Sequence, residues 1–297
     1  MKIVIPGGTG QVGAVLSRAL LARGDEVVVL SRGGKSPARV VHWDGRTLGP
    51  WTRELEGADA VINLAGASIG GKRWTPQRKA DLRDSRILAT RSLATAIAQA
   101  PAPPGVFVSS SAVGYYGASS ADPKTERDAA GTDFLAHLCE DWEAEAHKVT
   151  REGTRRAIIR TGLVLEKSGG ALAKMITPFR FFAGGPMGSG RQYMSWVHRL
   201  DWIEMVRWIV QTPEADGTFN VTAPHPVTNR EFARALGRAL KRPALVPAPG
   251  FALKLLLGEL ANSILTGQRA VPTHAQALGY HFRYPEIDIA FRGIFGD

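Results

Sequence analysis

A doubly wound α/β fold, a parallel sheet of the Rossmann type, is predicted by three features of the 297-residue sequence. Short β-branched runs alternate with helical stretches from residue 2 to about 165, which is the pattern of a parallel sheet covered on both faces. The first run ends in Gly7-Gly8-Thr9-Gly10-Gln11-Val12-Gly13, and a helical stretch follows at once. Composition is the third feature: 44% hydrophobic and 22% charged residues supply a sizeable core and exclude a disordered tail or a fibre.

The elements follow in order. Strands are predicted at Lys2 to Pro6, Glu26 to Ser31, Val40 to Trp43, Ala60 to Leu64, Val106 to Ser109 and Arg156 to Arg160, each apolar and bounded by turn residues. Helices are predicted at Gln11 to Arg23, Pro76 to Gln99 and Thr132 to Glu152, the second opening with proline directly after Thr75. Later pieces are less regular: a glycine-rich loop at Gly184 to Gly190, a helix near Leu200 to Gln211 and a strand near Phe219 to Thr222. Thr228-Asn229-Arg230-Glu231 reads as a capping box that starts a helix reaching about Lys241. The proline-rich stretch Pro243 to Pro249 then turns the chain into a mostly helical end.

The glycine loop between strand and helix satisfies both GxGxxG and GxxGxxG. Glycines there permit a tight turn and close approach of a pyrophosphate, while the helix start supplies N–H donors and a positive dipole. Gly7, Thr9, Gly10, Gln11, Val12 and Gly13 are therefore the expected phosphate-binding residues. The second strand ends Leu30-Ser31-Arg32, where an NAD site usually carries an acid for the ribose 2′-hydroxyl. Arg32, with Ser31 beside it, suits a 2′-phosphate instead. A hydrogen bond to a charged group contributes about 1.5–3 kcal/mol, roughly a 10- to 150-fold preference for NADP. The expected organisation is a dinucleotide-binding domain of residues 1–165 with a return segment at 196–223. Residues 166–195 and 224–297 are expected to form a smaller α+β substrate or lid domain.

The formal charge of +10 arises from 37 basic against 27 acidic residues. Basic residues stand singly or in pairs such as Arg78-Lys79, so the charge reads as acid depletion and nucleic acid is not an expected partner. A single cysteine, Cys139, excludes an internal disulfide and a thiolate metal site, and leads us to expect a reducing, cytoplasmic setting. Met1 to Ile5 run straight into glycines, so no signal peptide is expected. The most apolar stretch, Phe251 to Leu257, is interrupted by Lys254 and falls short of the roughly 18 residues a membrane span needs, so no membrane partner is expected.

With the glycine loop, Asn63-Leu64-Ala65-Gly66 after a strand and Ser109-Ser110-Ser111-Ala112 leading to Tyr116-Gly117 resemble the extended short-chain dehydrogenase/reductases over nearly the whole chain. More narrowly, Arg73-Trp74, Ser85-Arg86-Ile87, Gly114-Tyr115-Tyr116-Gly117, Trp142-Glu143, Gly188-Ser189-Gly190, Trp196-Val197-His198 and Gly267-Gln268-Arg269 resemble its atypical "epimerase family" branch. The resemblance implies an NADP-binding Rossmann domain, a substrate cleft over the carboxyl ends of the strands and a small C-terminal domain. It also implies cofactor contacts at Ser31, Arg32, Leu64, Ala65 and Arg86, a backbone contact at Val164, and a homodimer as in many relatives.

That superfamily uses Tyr-x-x-x-Lys on the helix after the serine-bearing strand, and here Leu138 and Trp142 stand in those places. A tyrosine without a helper, near pKa 10, is about one part in a thousand ionised at neutral pH and is a weak base. Substitutes are Ser110 or Ser111 at the strand end, with Ser111 favoured, and Tyr115 or Tyr116, whose rings would otherwise pack in the loop. His198 is either an acid–base group or a cap for the following helix. The expected function is an NADP-dependent oxidoreductase or epimerase-like enzyme using Ser111, Tyr116 and His198 on a small polar or sugar-nucleotide-like substrate. The alternative is a non-catalytic NADP-binding sensor or interaction module.

Overall fold

The computed structural model describes residues 1–118 and 121–296. Six strands, β1 (Lys2–Pro6), β2 (Glu26–Ser31), β3 (Arg39–His42), β4 (Ala60–Asn63), β5 (Val106–Ala112) and β6 (Arg155–Thr161), alternate with α1 (Gln11–Leu21), α2 (Pro76–Gln99) and α3 (Phe134–His147). The chain continues through β7 (Leu163–Leu165), α4 (Gly170–Arg180), β8 (Tyr193–Met194), β9 (Trp196–His198), α5 (Arg199–Gln211) and β10 (Gly217–Val221). It closes with β11 (Val227–Thr228), α6 (Asn229–Leu240), α7 (Gly250–Leu257), α8 (Leu260–Leu265), α9 (Thr273–Ala277) and α10 (Ile287–Phe295).

The main sheet is parallel throughout, in the order β10-β6-β5-β4-β1-β2-β3. Chain order reverses between β1 and β4, and at such a switch point a crevice opens above the carboxyl ends of the strands. Alternate side chains of each strand feed two cores. Ile3, Ile5, Val29, Val108 and Ile159 pack with Trp202 and Val206 of α5 on one face. Val4, Val28, Val61, Phe107 and Ile158 pack with Leu93 and Ile97 of α2 on the other. A third core joins Leu172, Ile176 and Phe179 of α4 to Phe232 and Leu236 of α6 and Phe291 of α10. Each such fully buried side chain contributes about 1.5–3 kcal/mol over its exposed state.

Local chemistry sets most element boundaries. Thr75 caps α2 by accepting from the Arg78 N–H, with Pro76 as first helical residue. Thr228 and Glu231 form the reciprocal capping box of α6. Helix α3 is shorter than the sequence pattern suggests, because Asp133 takes the cap and the helix ends before Val149-Thr150. Strand β5 runs three residues beyond Ser109, as the register with β6 continues through Ser110, Ser111 and Ala112. Helix α4 and the three-residue strands β7 and β9 carry too little periodicity to be legible locally. Their pairing depends on Gly162, where a Cβ would stand 2.6 Å from the Ser195 carbonyl oxygen.

Candidate functional site

The glycine loop leaves β1 at the switch point and packs against the chain leaving β4. Gly7 adopts φ +79°, and a Cβ on it would come within 2.7–2.8 Å of Leu64 and Ala65 backbone atoms. Gly13 in the first turn of α1 is as tight, its Cβ position lying 2.7 Å from the Gly8 Cα. These contacts draw the α1 N-terminus onto the sheet edge. Gly10 is the N-cap and supplies no side-chain hydrogen bond, and the first turn holds no acidic residue. The positive end of the helix is therefore left for an external anion.

Ser31 ends β2 nearly buried, within 2.9 Å of the Thr9 hydroxyl and donating to the Gly33 carbonyl at 2.6 Å. It ties the glycine loop to the turn that follows β2. Arg32 next to it is exposed and forms no hydrogen bond or ion pair among the described residues. Ser31 thus builds the turn, and Arg32, like Lys35 three residues on, is an exposed cation without a partner among the described residues. Across the crevice, Val164 is half-buried in β7, its backbone paired with Val197, and it packs with Val12 and Leu64 on the first core. The Gln11 side chain reaches the same side, where a Cβ on Gly169 would meet its amide nitrogen at 2.7 Å.

Arg86 lies behind this crevice. Its guanidinium is buried, donates to the Leu82 and Ala67 carbonyls at 2.9 and 3.0 Å, and sits 5.1 Å from the centre of the Trp142 ring. Burial lowers its pKa to about 10, still fully charged at neutral pH. A Cβ on Gly66 would touch this guanidinium at 3.1 Å, so the arginine supports the loop after β4 from beneath. Asn63 fixes the same loop, accepting from the Ala65 N–H and donating to Thr90, which also accepts from the Trp142 ring N–H.

The carboxyl ends of β5, β6 and β10 carry a different arrangement. Ser111 donates to Glu143 at 2.6 Å, and Glu143 holds Arg160 by two hydrogen bonds of 2.8 and 2.9 Å. Arg160 donates to the Tyr116 hydroxyl at 3.1 Å, and that hydroxyl donates to Asn220 at 2.7 Å. All five side chains are buried. Burial works against the Arg160 charge, but the Glu143 carboxylate outweighs it and raises the pKa. Burial pushes Tyr116 up to about 12, so its phenol stays protonated at neutral pH.

The three catalytic candidates are thus placed apart and engaged by the protein itself. Ser111 and Tyr116 belong to the buried network. His198 is buried elsewhere, its Nδ1 accepting from the Leu200 N–H at the start of α5 and its ring 3.8 Å from the Tyr284 ring centre. Burial and the charges of Arg199 and Arg283 lower its pKa to about 4, so it is neutral at pH 7. The capping alternative describes its geometry. Leu138 packs with Trp74 and Leu82, occupying with apolar volume the place where a catalytic tyrosine would stand. Among the described residues, the hydroxyls without a hydrogen bond near this strand end are that of Ser109, which is fully buried, and those of Ser110 and Tyr115, both half-buried, with the Arg160 guanidinium 3.3 Å from the Tyr115 ring centre.

Sequence reasoning gave no role to Glu143, Arg160 or Asn220. The available signal was a charge inside an apolar strand: Arg160 follows Ala157-Ile158-Ile159, and a buried arginine requires a carboxylate partner.

Comparison with known proteins now adds the family. Residues 3–222 match the NAD dependent epimerase/dehydratase family and residues 248–294 match the domain of unknown function DUF1731. The chain is similar to the chloroplastic "epimerase family protein SDR39U1 homolog" of Arabidopsis thaliana, 40% identical over 99% of this chain and 86% of that one. Among solved structures it is similar to human epimerase family protein SDR39U1 (isoform 2) with NADPH, with a TM-score of 0.93 and 34% identity, each chain covered in full. It is also similar to the nucleoside-diphosphate sugar epimerase from Corynebacterium glutamicum, with a TM-score of 0.80 and 32% identity over 99% of this chain and 58% of that one. The chain belongs to the NAD dependent epimerase/dehydratase family of short-chain dehydrogenase/reductases, with a DUF1731 domain at its residues 248–294.

Proposed function

We propose that this chain is an NADP(H)-dependent oxidoreductase or epimerase-like enzyme acting on a small polar or sugar-nucleotide-like substrate. The observation that carries the reading is the pairing of an uncapped α1 N-terminus with an unpartnered Arg32 at the end of β2. Gly7 to Gly13 would hold the pyrophosphate, Arg32 the 2′-phosphate, and Leu64, Ala65 and Val164 would line the crevice, with Ser31 and Arg86 holding the loops in place. The similar human structure contains NADPH, and the similar Corynebacterium protein is described as a nucleoside-diphosphate sugar epimerase.

When bound, the nicotinamide supplies hydride transfer. The protein's share is to orient a carbonyl or hydroxyl and to move its proton. Ser110 and Tyr115 are the hydroxyls free for that work, while Ser111, Tyr116 and His198 are assigned to the scaffold. The Arg160 guanidinium, 3.3 Å from the Tyr115 ring centre, holds that ring in place. The test is consumption of NADPH over a panel of carbonyl compounds and nucleotide sugars, with Ser110→Ala and Tyr115→Phe. Turnover that falls at least about 100-fold in either variant supports the assignment. Turnover lost instead with Tyr116→Phe or His198→Asn, at unchanged stability, returns catalysis to the residues first singled out.

One observation favours a second reading, a cofactor-binding sensor or interaction module without turnover. The Tyr-x-x-x-Lys pair is absent, and the Ser111 and Tyr116 hydroxyls beside the serine-bearing strand end are occupied by protein partners. Tight NADPH binding with no turnover across the panel supports that reading.

A further inference from the structure

The most exposed apolar surface and the entire net charge of the chain fall in the same two segments. Phe181, Phe182, Leu245, Phe251, Leu255 and Leu256 are the most exposed large apolar side chains among the described residues, at 58–82%. Helix α7 buries none of its residues. The two segments are joined: Val246 N–H donates to the Gly184 carbonyl, Ala248 N–H to Pro186 and Gly188 N–H to Ala248, while the Arg242 guanidinium sits 4.7 Å from the Phe182 ring centre. The exposed groups therefore lie on two neighbouring, hydrogen-bonded segments.

Between Glu166 and Asp201 the sequence holds five basic residues and no acid, and between Glu231 and Glu259 it again holds five and none. These ten account for the whole formal charge of +10, and the rest of the chain has as many acidic as basic residues. The acid depletion read from composition is thus local. Arg199 and Arg238 reach carboxylates outside the segments, Glu166 and Asp288. Arg180, Lys241, Arg242 and Lys254 are exposed and make no ion pair among the described residues.

Apolar side chains ringed by unpaired cations complement a surface that is both apolar and anionic. A second copy would bring the unpaired Arg180, Lys241, Arg242 and Lys254 of two chains together, and these like charges repel. Aliphatic leucines add little to a contact with a phosphate backbone, whereas they partition into acyl chains. We propose that this face docks on an anionic lipid surface. Helix α7 lies in the headgroup plane with Phe251, Leu255 and Leu256 inserted, and Arg180, Lys241, Arg242 and Lys254 lie against lipid phosphates. The proposed association is peripheral, and no helix among the described residues is long and apolar enough to cross a membrane.

The test is cosedimentation of the full chain with vesicles of phosphatidylcholine alone and of phosphatidylcholine with one third phosphatidylglycerol. Binding is expected to the anionic vesicles and to weaken as salt is raised. Lys254→Glu should weaken it by more than about fivefold, since each basic residue near such a surface contributes about that factor. Leu255→Ser with Leu256→Ser should weaken it by more than about tenfold, with the unfolding midpoint unchanged because both side chains are exposed. Equal binding to both vesicle types, or to neither, overturns the proposal. So does a concentration-dependent doubling of mass that the leucine variant abolishes while vesicle binding stays absent, since the face then belongs to a second copy.

Discussion

At the β1–β2 end of the sheet the α1 N-terminus has no side-chain cap and the exposed Arg32 has no partner among the described residues. At the β5–β6–β10 end Ser111, Glu143, Arg160, Tyr116 and Asn220 satisfy one another in a buried chain of hydrogen bonds. Both regions occupy the carboxyl edge of one parallel sheet, where residue type alone marks both as candidate sites. The difference lies in which groups remain unpaired. A fold that leaves a cation and a helix start free suits an anion, whereas a closed network holds the strand ends in register and leaves only neighbours such as Ser110 and Tyr115 for a ligand.

The largest effect that sharpens this contrast is expected from the buried pair. Glu143→Gln or Arg160→Met, measured by urea unfolding, should each lose about 3–5 kcal/mol, because the remaining charge stays buried without its counterion. A loss below about 1 kcal/mol would place the pair in contact with solvent and break the comparison.

His198 comes next. Its folded pKa, near 4, lies below the ordinary 6.5, so the folded state favours the neutral ring. Stability is then fully present above pH 6.5 and falls as pH drops toward 4, by at most about 3 kcal/mol from this residue. Chemical denaturation between about pH 7 and about pH 4 should show that slope. His198→Asn keeps a cap for α5 and should flatten it. An unchanged slope would mean that the imidazole is open to protonation in the folded state.

A smaller effect is expected from Tyr116→Phe. Removing the hydroxyl leaves Asn220 Oδ1 and one Arg160 N–H without that partner, a cost of about 1–3 kcal/mol in stability. Nucleotide affinity should not change. A variant that keeps its stability but binds cofactor more weakly would move Tyr116 from the scaffold to the site.

The sequence made the first half of the fold legible because its signals are local. β-Branched runs, Thr75-Pro76 at the start of α2 and Thr228 with Glu231 at the start of α6 each act within a few residues. The glycine loop was legible for the same reason, since Gly7 and Gly13 answer close backbone contacts that a Cβ would fill. The catalytic candidates were not. Ser111 lies 32 residues from Glu143, and Tyr116 lies 104 residues from Asn220. Nothing in the spacing of Ser111, Tyr116 or His198 shows whether another side chain already satisfies them. Short strands such as β7 and β9 were hidden likewise, because they exist only through each other.

The central claim is that the open end of the sheet is built for a 2′-phosphorylated dinucleotide. Calorimetric titration with NADPH and NADH, on the wild-type chain and on Arg32→Ala, tests it most directly. The account predicts that NADPH binds more tightly than NADH, and that Arg32→Ala weakens NADPH by about 10- to 150-fold with NADH and stability unchanged. Equal affinity for both nucleotides, untouched by Arg32→Ala, or binding of neither, would contradict it.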